Sequence, residues 1–319
     1  MTAAASAHPS RGPVPRRSRR RLSRALGIGF GVLMLALVGW MARKVDWSSV
    51  GGALSGYGAG TIAAATLAAL TSHLLYSFYD RIGMSWAGLH HPARSIMRIS
   101  FTSYAFNLNF GPLVGALAMR VRMYSRLGLG AEAIARIVGV SVVTNWLGYA
   151  VLGGAVFLFG DIRPPGDWAV GRTALQAIGA ALWLAVAAYL VTSARAGGRV
   201  FKLRGSRWTV PRLRMAARQL SVSCGHWLAT AGVLCLLFQQ QVGYAEVLAV
   251  FLLAAVAGAI AHIPAGLGVL EAVFVGLLAP PLVTPSIIAA LLVYRAVYYL
   301  LPLGLAIVLY LSTELKPGR

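Results

Sequence analysis

Asn107-Leu108-Asn109-Phe110-Gly111-Pro112 interrupts an apolar segment, 99–119, where a membrane helix should be continuous. His262-Ile263-Pro264-Ala265-Gly266-Leu267-Gly268 does the same to 247–279. In hydrocarbon each unpaired backbone group costs several kcal/mol, so such breaks persist only where protein or a wet cavity surrounds them. A broken segment in each half of a polytopic chain is the usual sequence pointer to a transport site.

The composition around these breaks is that of a membrane protein. Of 319 residues, 58% are hydrophobic and only 12% charged, about half the charge a soluble domain carries. Mean hydropathy is +0.71. No stretch is long and polar enough for a separate soluble catalytic domain. The net charge of +21 would suggest nucleic acid in a soluble protein. Here the charges punctuate apolar spans, so they read as topology signals and contacts to anionic lipid. Cys224 and Cys235 lie in one apolar span, about 16 Å apart along a helix, too far for a disulfide.

Continuous apolar spans fall near 25–41, 58–79, 137–160, 173–193, 220–240 and 286–311, each near the ~20 residues that a crossing needs. Seven arginines between Arg11 and Arg24 precede the first span, and Arg43-Lys44 closes it without a small-x-small cleavage site. This reads as a retained signal anchor behind a disordered basic tail, 1–24, with a single membrane domain over 25–315.

Charge then decides how 99–119 runs. If it crossed, Arg120, Arg122, Arg126 and Arg136 would lie outside, followed by the segment 194–218 with its eight Lys/Arg and no acid. That breaks the positive-inside rule. If it dips in and returns, 24 of the 29 basic residues stay inside and only Arg43, Lys44, Arg163 and Arg172 fall outside. The same parity makes 247–279 a hairpin entering from the other face. The expected fold is all-α and polytopic: about six full transmembrane helices plus two opposed re-entrant hairpins near 99–119 and 247–279. Both termini are then cytoplasmic.

Glu271 is the only acid in the second broken segment, and Arg295 is the only base well inside a span. An ionised group at membrane depth costs roughly 2.5–3.5 kcal/mol on the gentlest scale, so these two are expected to pair. A structural ion pair and a gating or substrate role both stay open. Tyr298 and Tyr299 share the Arg295 face at i+3 and i+4. Pro264, Gly266 and Gly268 open a half-helix whose free N–H groups suit an anion, although the same turn serves a plain bend. His262 stands at its entrance. Asn107 and Asn109 can satisfy the opened backbone or bind a headgroup. Arg120, Arg122 and Tyr124 form a cluster suited to a lipid phosphate or to simple anchoring. His73 and His226 read as packed histidines, because neither has an i,i+4 partner of ligand type. Asn145 and Trp146 read as packing or cavity wall. No H-E-x-x-H, G-x-S-x-G or P-loop pattern is present, so a protease or ATP-driven pump has no visible engine.

The run from His262 to Glu271 resembles the "PGGLGxxE" signature of the lysylphosphatidylglycerol synthase transmembrane, or flippase-like, family. Tyr294-Arg295-Ala296-Val297-Tyr298-Tyr299-Leu300-Leu301-Pro302 resembles that family's "YR-xx-Y-xx-P" ending. Ser103-Tyr104-Ala105-Phe106-Asn107, with Gly111, Gly115, Arg120, Arg122, Tyr124 and Gly128, resembles its first motif. Two positions depart from the pattern: Ala265 replaces the first glycine of the pair, and His226 precedes Trp227 where many relatives carry an acid. The resemblance implies a lipid translocase rather than an enzyme, a stand-alone member without the synthase domain. It would sit in a bacterial inner membrane and need no cofactor. Its cargo would be an anionic or aminoacylated phospholipid or another polar lipid, and an envelope-lipid synthesis enzyme would be a partner. A non-catalytic subunit of a lipid-assembly complex is the main alternative, and an intramembrane headgroup transferase a lesser one.

Overall fold

A computed structural model describes residues 29–314 except 30, 34–35, 41–42, 44, 161–170, 204–205, 262–266 and 280–281. The basic tail 1–24, His262, Pro264, Gly266 and the C-terminal Lys316 and Arg319 lie outside the described residues. Contacts divide the chain into two units, 49–313 and 1–48 with 314–319. In the smaller unit, residues 31–33 and 36–40 are helical. Asp46 there accepts hydrogen bonds from the Ser48 amide (3.1 Å) and hydroxyl (2.6 Å), capping the helix that starts at Trp47.

The described helices are α1 (Trp47–Ser55), α2 (Ala59–Trp86), α3 (Ala93–Phe110), α4 (Arg120–Arg126), α5 (Ala131–Phe159), α6 (Arg172–Ala196), α7 (Leu213–Leu237), α8 (Tyr244–Ala261), α9 (Val269–Leu278), α10 (Thr284–Tyr294) and α11 (Leu301–Glu314). Pro112–Met119 and Arg295–Leu300 are π-helical. The all-α, polytopic, multi-pass architecture is the one expected. Among the described residues, six helices are long and apolar enough to cross a membrane: Ala59–Trp86, Ala131–Phe159, Arg172–Ala196, Leu213–Leu237, Tyr244–Ala261 and Thr284–Thr313. Five of them overlap expected spans, and the sixth, Tyr244–Ala261, falls in the second broken segment. Tyr244–Ala261 has 18 residues and the highest hydropathy of the six, and at about 27 Å it has the length to cross. Of the expected segment near 25–41, residues 25–28, 30, 34–35 and 41 lie outside the described residues.

Helices α2 and α7 form the centre of the larger unit, with α3, α5, α8 and the Arg295–Leu300 turn packed around them. Small residues set the closest approaches. A Cβ on Gly148 of α5 would lie 2.6 Å from the Ser223 backbone of α7, and one on Gly83 of α2 3.0 Å from the Ile137 carbonyl of α5. Membrane helices associate through such close backbone contacts, because lipid gives no hydrophobic drive between them.

The segment 99–119 reverses on itself. Gly111 takes φ 82° and ψ 175°, a region that essentially only glycine occupies. Beyond it Gly115 lies directly on Asn107, where an added Cβ would be 1.8 Å from the Asn107 nitrogen. The returning limb reaches Asp80, near the end of α2, through Arg120. The basic segment after α6 comes to this same end, since Trp86 Nε1 donates to the Thr209 carbonyl at 3.1 Å. That segment contains a short antiparallel hairpin, β1 (Val200–Leu203) paired with β2 (Ser206–Thr209), where the sequence suggested only a charged loop. Residues 81–98, 120–136 and 194–218 therefore gather at one end of the bundle. At the opposite end Phe274 of α9 stacks on Phe238, just after α7, at 5.8 Å, so α9 runs back towards the level at which α8 begins.

Candidate functional site

A cavity of about 830 Å³ lies where the two broken segments meet. The turn of the first contributes Asn107, Leu108 and 110–113. The second contributes Ala254, Ala255, Gly258 and Ala259 from α8 and Val269 and Leu270 from α9. The rest of the wall is aromatic and polar: Tyr76, Tyr104, Asn145, His226, Trp227, Thr230, Phe251, Tyr294, Tyr298 and Tyr299. Leu113 on its rim is 78% exposed, whereas Tyr298 on its floor is 1% exposed. The volume is that of a pocket for a small organic group.

Five residues on four helical segments close the floor through one hydrogen-bond network. Ser72 Oγ lies 2.9 Å from His226 Nδ1, 2.7 Å from Thr230 Oγ1 and 2.9 Å from Tyr298 Oη. Tyr104 Oη lies 3.0 Å from Tyr298 Oη and 3.3 Å from His226 Nε2. Tyr76 stacks on Tyr104 at 3.7 Å, and Tyr294 on Tyr298 at 5.1 Å. Helical periodicity puts Ser72 and Tyr76 of α2 on one face, and likewise His226 and Thr230 of α7. Interhelical hydroxyl bonds in membranes average ~0.6 kcal/mol each, so the network's larger role is to fix the aromatic wall.

Glu271 and Arg295 come together as expected. Arg295 Nε donates to Glu271 Oε1 at 2.9 Å and Nη2 to Oε2 at 3.1 Å, a two-pronged pair of the kind that fixes geometry. Glu271 Oε2 also accepts the Gly268 amide at 2.9 Å. The carboxylate thus occupies the amide that opens α9, where the sequence left room for an anion. The Arg295 guanidinium stands over the Tyr299 ring at 5.8 Å. The pair flanks the cavity: Leu270, Tyr294 and Tyr299 line it, while Glu271 and Arg295 do not. Both begin or follow an irregular turn, and π-helical turns recur at functional positions.

The two asparagines divide. Asn109 Nδ2 donates to the carbonyls of Ala105 (2.8 Å) and Tyr299 (3.3 Å), tying the first turn to the Arg295–Leu300 segment. Asn107 lines the cavity, and its amide oxygen is buried without a hydrogen-bond partner. Asn145 also lines the cavity and accepts Trp227 Nε1 through its carbonyl at 3.0 Å.

Arg120 and Tyr124 lie away from the cavity, in a buried cluster that the sequence did not reveal. Arg120 is 1% exposed and Asp80 0%. Arg120 Nε donates to both Asp80 oxygens (2.9 and 3.2 Å), and Nη2 donates to Oδ1 (3.0 Å) and Ser141 Oγ (3.4 Å). Tyr124 donates to Asp80 Oδ2 at 2.8 Å. Arg122, on the same helix, is half-buried. The signal that pointed to Asp80 was an acid in the last turns of an apolar span, hidden because Arg81 follows it.

Comparisons with known proteins agree with this picture. The family model for the lysylphosphatidylglycerol synthase transmembrane region matches residues 24–306. The inner membrane protein YbhN of Escherichia coli K12 is 40% identical over 286 residues, which is 89% of this chain and 90% of that protein. An uncharacterized Synechocystis protein is 26% identical over 88% of each chain. A phosphatidylglycerol lysyltransferase of Staphylococcus haemolyticus is 26% identical over 74% of this chain but only 27% of its own length.

Proposed function

This chain belongs to the lysylphosphatidylglycerol synthase transmembrane family, and from that premise we propose that it is an inner-membrane translocase carrying a polar lipid between leaflets. The observation that carries the reading is the cavity between the two broken segments, closed by a hydrogen-bonded floor and flanked by the Glu271–Arg295 pair. A lipid headgroup enters the cavity past the exposed rim at Leu113 while its acyl chains stay in the bilayer. The two broken segments act as opposed re-entrant hairpins whose turns reach the membrane interior, and both termini are cytoplasmic. The protein works as a carrier, not an enzyme. The lysyl transfer named for the staphylococcal protein belongs to that protein, of whose length this chain covers about a quarter. The enzyme that makes the lipid is the partner this role implies.

The Glu271–Arg295 pair joins α9 to the Arg295–Leu300 turn, two walls that must separate and close for access to alternate. Glu271→Gln removes the attraction but leaves the packing, whereas Arg295→Ala also removes the guanidinium from the Tyr299 ring. Glu271→Gln and Arg295→Ala are each expected to slow lipid movement at least about tenfold, the scale of ~1.4 kcal/mol in a barrier. The assay follows tail-labelled lipids in proteoliposomes through reduction of outer-leaflet label, with detergent melting curves to show intact folding. Wild-type rates in both folded variants would sink the gating role.

A further inference from the structure

We infer that the cavity takes an uncharged, hydroxyl-bearing headgroup, such as a sugar carried on diacylglycerol, in preference to an anionic or cationic one. This rests on the proposed translocase reading and names its cargo class. Among the described residues, no Lys, Arg, Asp or Glu lines the cavity. Of the acids on the surrounding helices, Asp80 is paired with Arg120, Glu271 with Arg295 and Glu132 with Arg136, and Glu246 is exposed in the first turn of α8. Both nitrogens of His226, the one imidazole among the described lining residues, face hydroxyl groups of the floor. A net charge entering this space meets no opposite charge, and burying an unpaired ion is far more costly than burying a hydrogen-bonded neutral group.

What the wall offers instead is rings and hydrogen-bonding groups. Tyr76, Tyr104, Trp227, Phe251, Tyr294 and Tyr299 supply apolar ring surface beside phenol and indole groups, the amphipathic combination that aromatic residues bring to half-wet sites. A sugar matches it, because its C–H faces lie on rings while its hydroxyls bond at the edge. Asn107 supplies the polar anchor. Its buried amide oxygen lacks a partner and accepts but cannot donate. A turn of the Asn107 side chain that brings this oxygen to the cavity lets a headgroup hydroxyl satisfy it.

The test compares three tail-labelled lipids in proteoliposomes of phosphatidylcholine: glucosyl-diacylglycerol, phosphatidylglycerol and lysyl-phosphatidylglycerol. The glucosyl lipid is expected to move at least tenfold faster than either charged lipid. Asn107→Leu is expected to remove most of that advantage, and Asn107→Asp to shift preference towards the lysyl lipid. Either charged lipid moving as fast as the glucosyl lipid in the wild type overturns the inference, whatever the variants do. If none of the three moves, the translocase reading falls. The headgroup inference is then judged by native mass spectrometry of protein exposed to an equal mixture. Selective retention of the glucosyl lipid, lost in Asn107→Leu, upholds it, and equal or absent retention overturns it.

Discussion

Asp80→Ala is expected to destabilise the protein by about 3–5 kcal/mol, the usual cost of stripping one partner from a buried ion pair. The substitution leaves Arg120, 1% exposed, with the Ser141 hydroxyl, the Ala116 carbonyl (3.1 Å) and the Tyr76 ring (5.9 Å) but no opposite charge among these partners. It also deprives Tyr124 of its acceptor. The effect is regional as well as thermodynamic, because Arg120 is the point at which the returning limb of the first broken segment is fastened to α2. Loosening it releases the turn that sets Asn107 against the cavity and ties Asn109 to the Tyr299 carbonyl. Thermal unfolding in detergent, followed by size exclusion, reads the loss. The double variant Asp80→Leu with Arg120→Met separates pairing from packing. It removes both charges while keeping volume, and such replacements are often neutral or stabilising. It is expected to recover most of the stability lost in Asp80→Ala. A single variant as stable as the wild type would mean that the pair fastens nothing.

How far the sequence anticipated these features follows from what each one depends on. The apolar spans were legible because twenty-residue hydrophobic runs have few alternatives. The reversal at Gly111 was legible because Asn-x-Asn-x-Gly-Pro punctuates a helix strongly and because charge parity demanded it. Glu271 and Arg295 found each other on paper since each stood alone in its apolar surroundings. The Asp80–Arg120 pair was not legible, because both residues sit where interfacial charge is ordinary. The floor network was hidden for another reason. Ser72, Tyr104, His226, Thr230 and Tyr298 are polar residues that any membrane helix tolerates singly, and only their convergence across 226 positions gives them a role. Tyr244–Ala261, expected as one limb of a hairpin, is long and apolar enough to cross by itself, which the sequence did not show. The Pro/Gly break marks where a helix stops but not how deep it has gone. The β1–β2 hairpin was obscured by its charge, which dominated the reading of 194–218.

Gly115→Val tests the same turn from its other side, by sterics instead of charge. Two glycines shape the reversal for different reasons. Gly111 needs its backbone freedom, with φ at 82° and no atom within 4 Å of an added Cβ. Gly115 needs only to lack a side chain. A Cβ there would lie 1.8 Å from the nitrogen and 2.1 Å from the Cα of Asn107, and 2.5 Å from the carbonyl carbon of Phe106. These are backbone atoms of a helix, so no rotamer change relieves the overlap and the two limbs must part. The cost is expected to reach or pass about 3 kcal/mol, the upper end for overpacking. Because the limbs part at the cavity, lipid movement is expected to fail even in folded protein that is recovered. Gly111→Ala is the contrast: it strains one residue by roughly 1–2 kcal/mol without pushing the limbs apart, so more transport should survive per folded molecule. Cysteine pairs on the two limbs, cross-linked in membranes, report their separation directly. Unchanged cross-linking in Gly115→Val, together with normal lipid movement, would show that close contact of the limbs is not what holds the cavity wall in place.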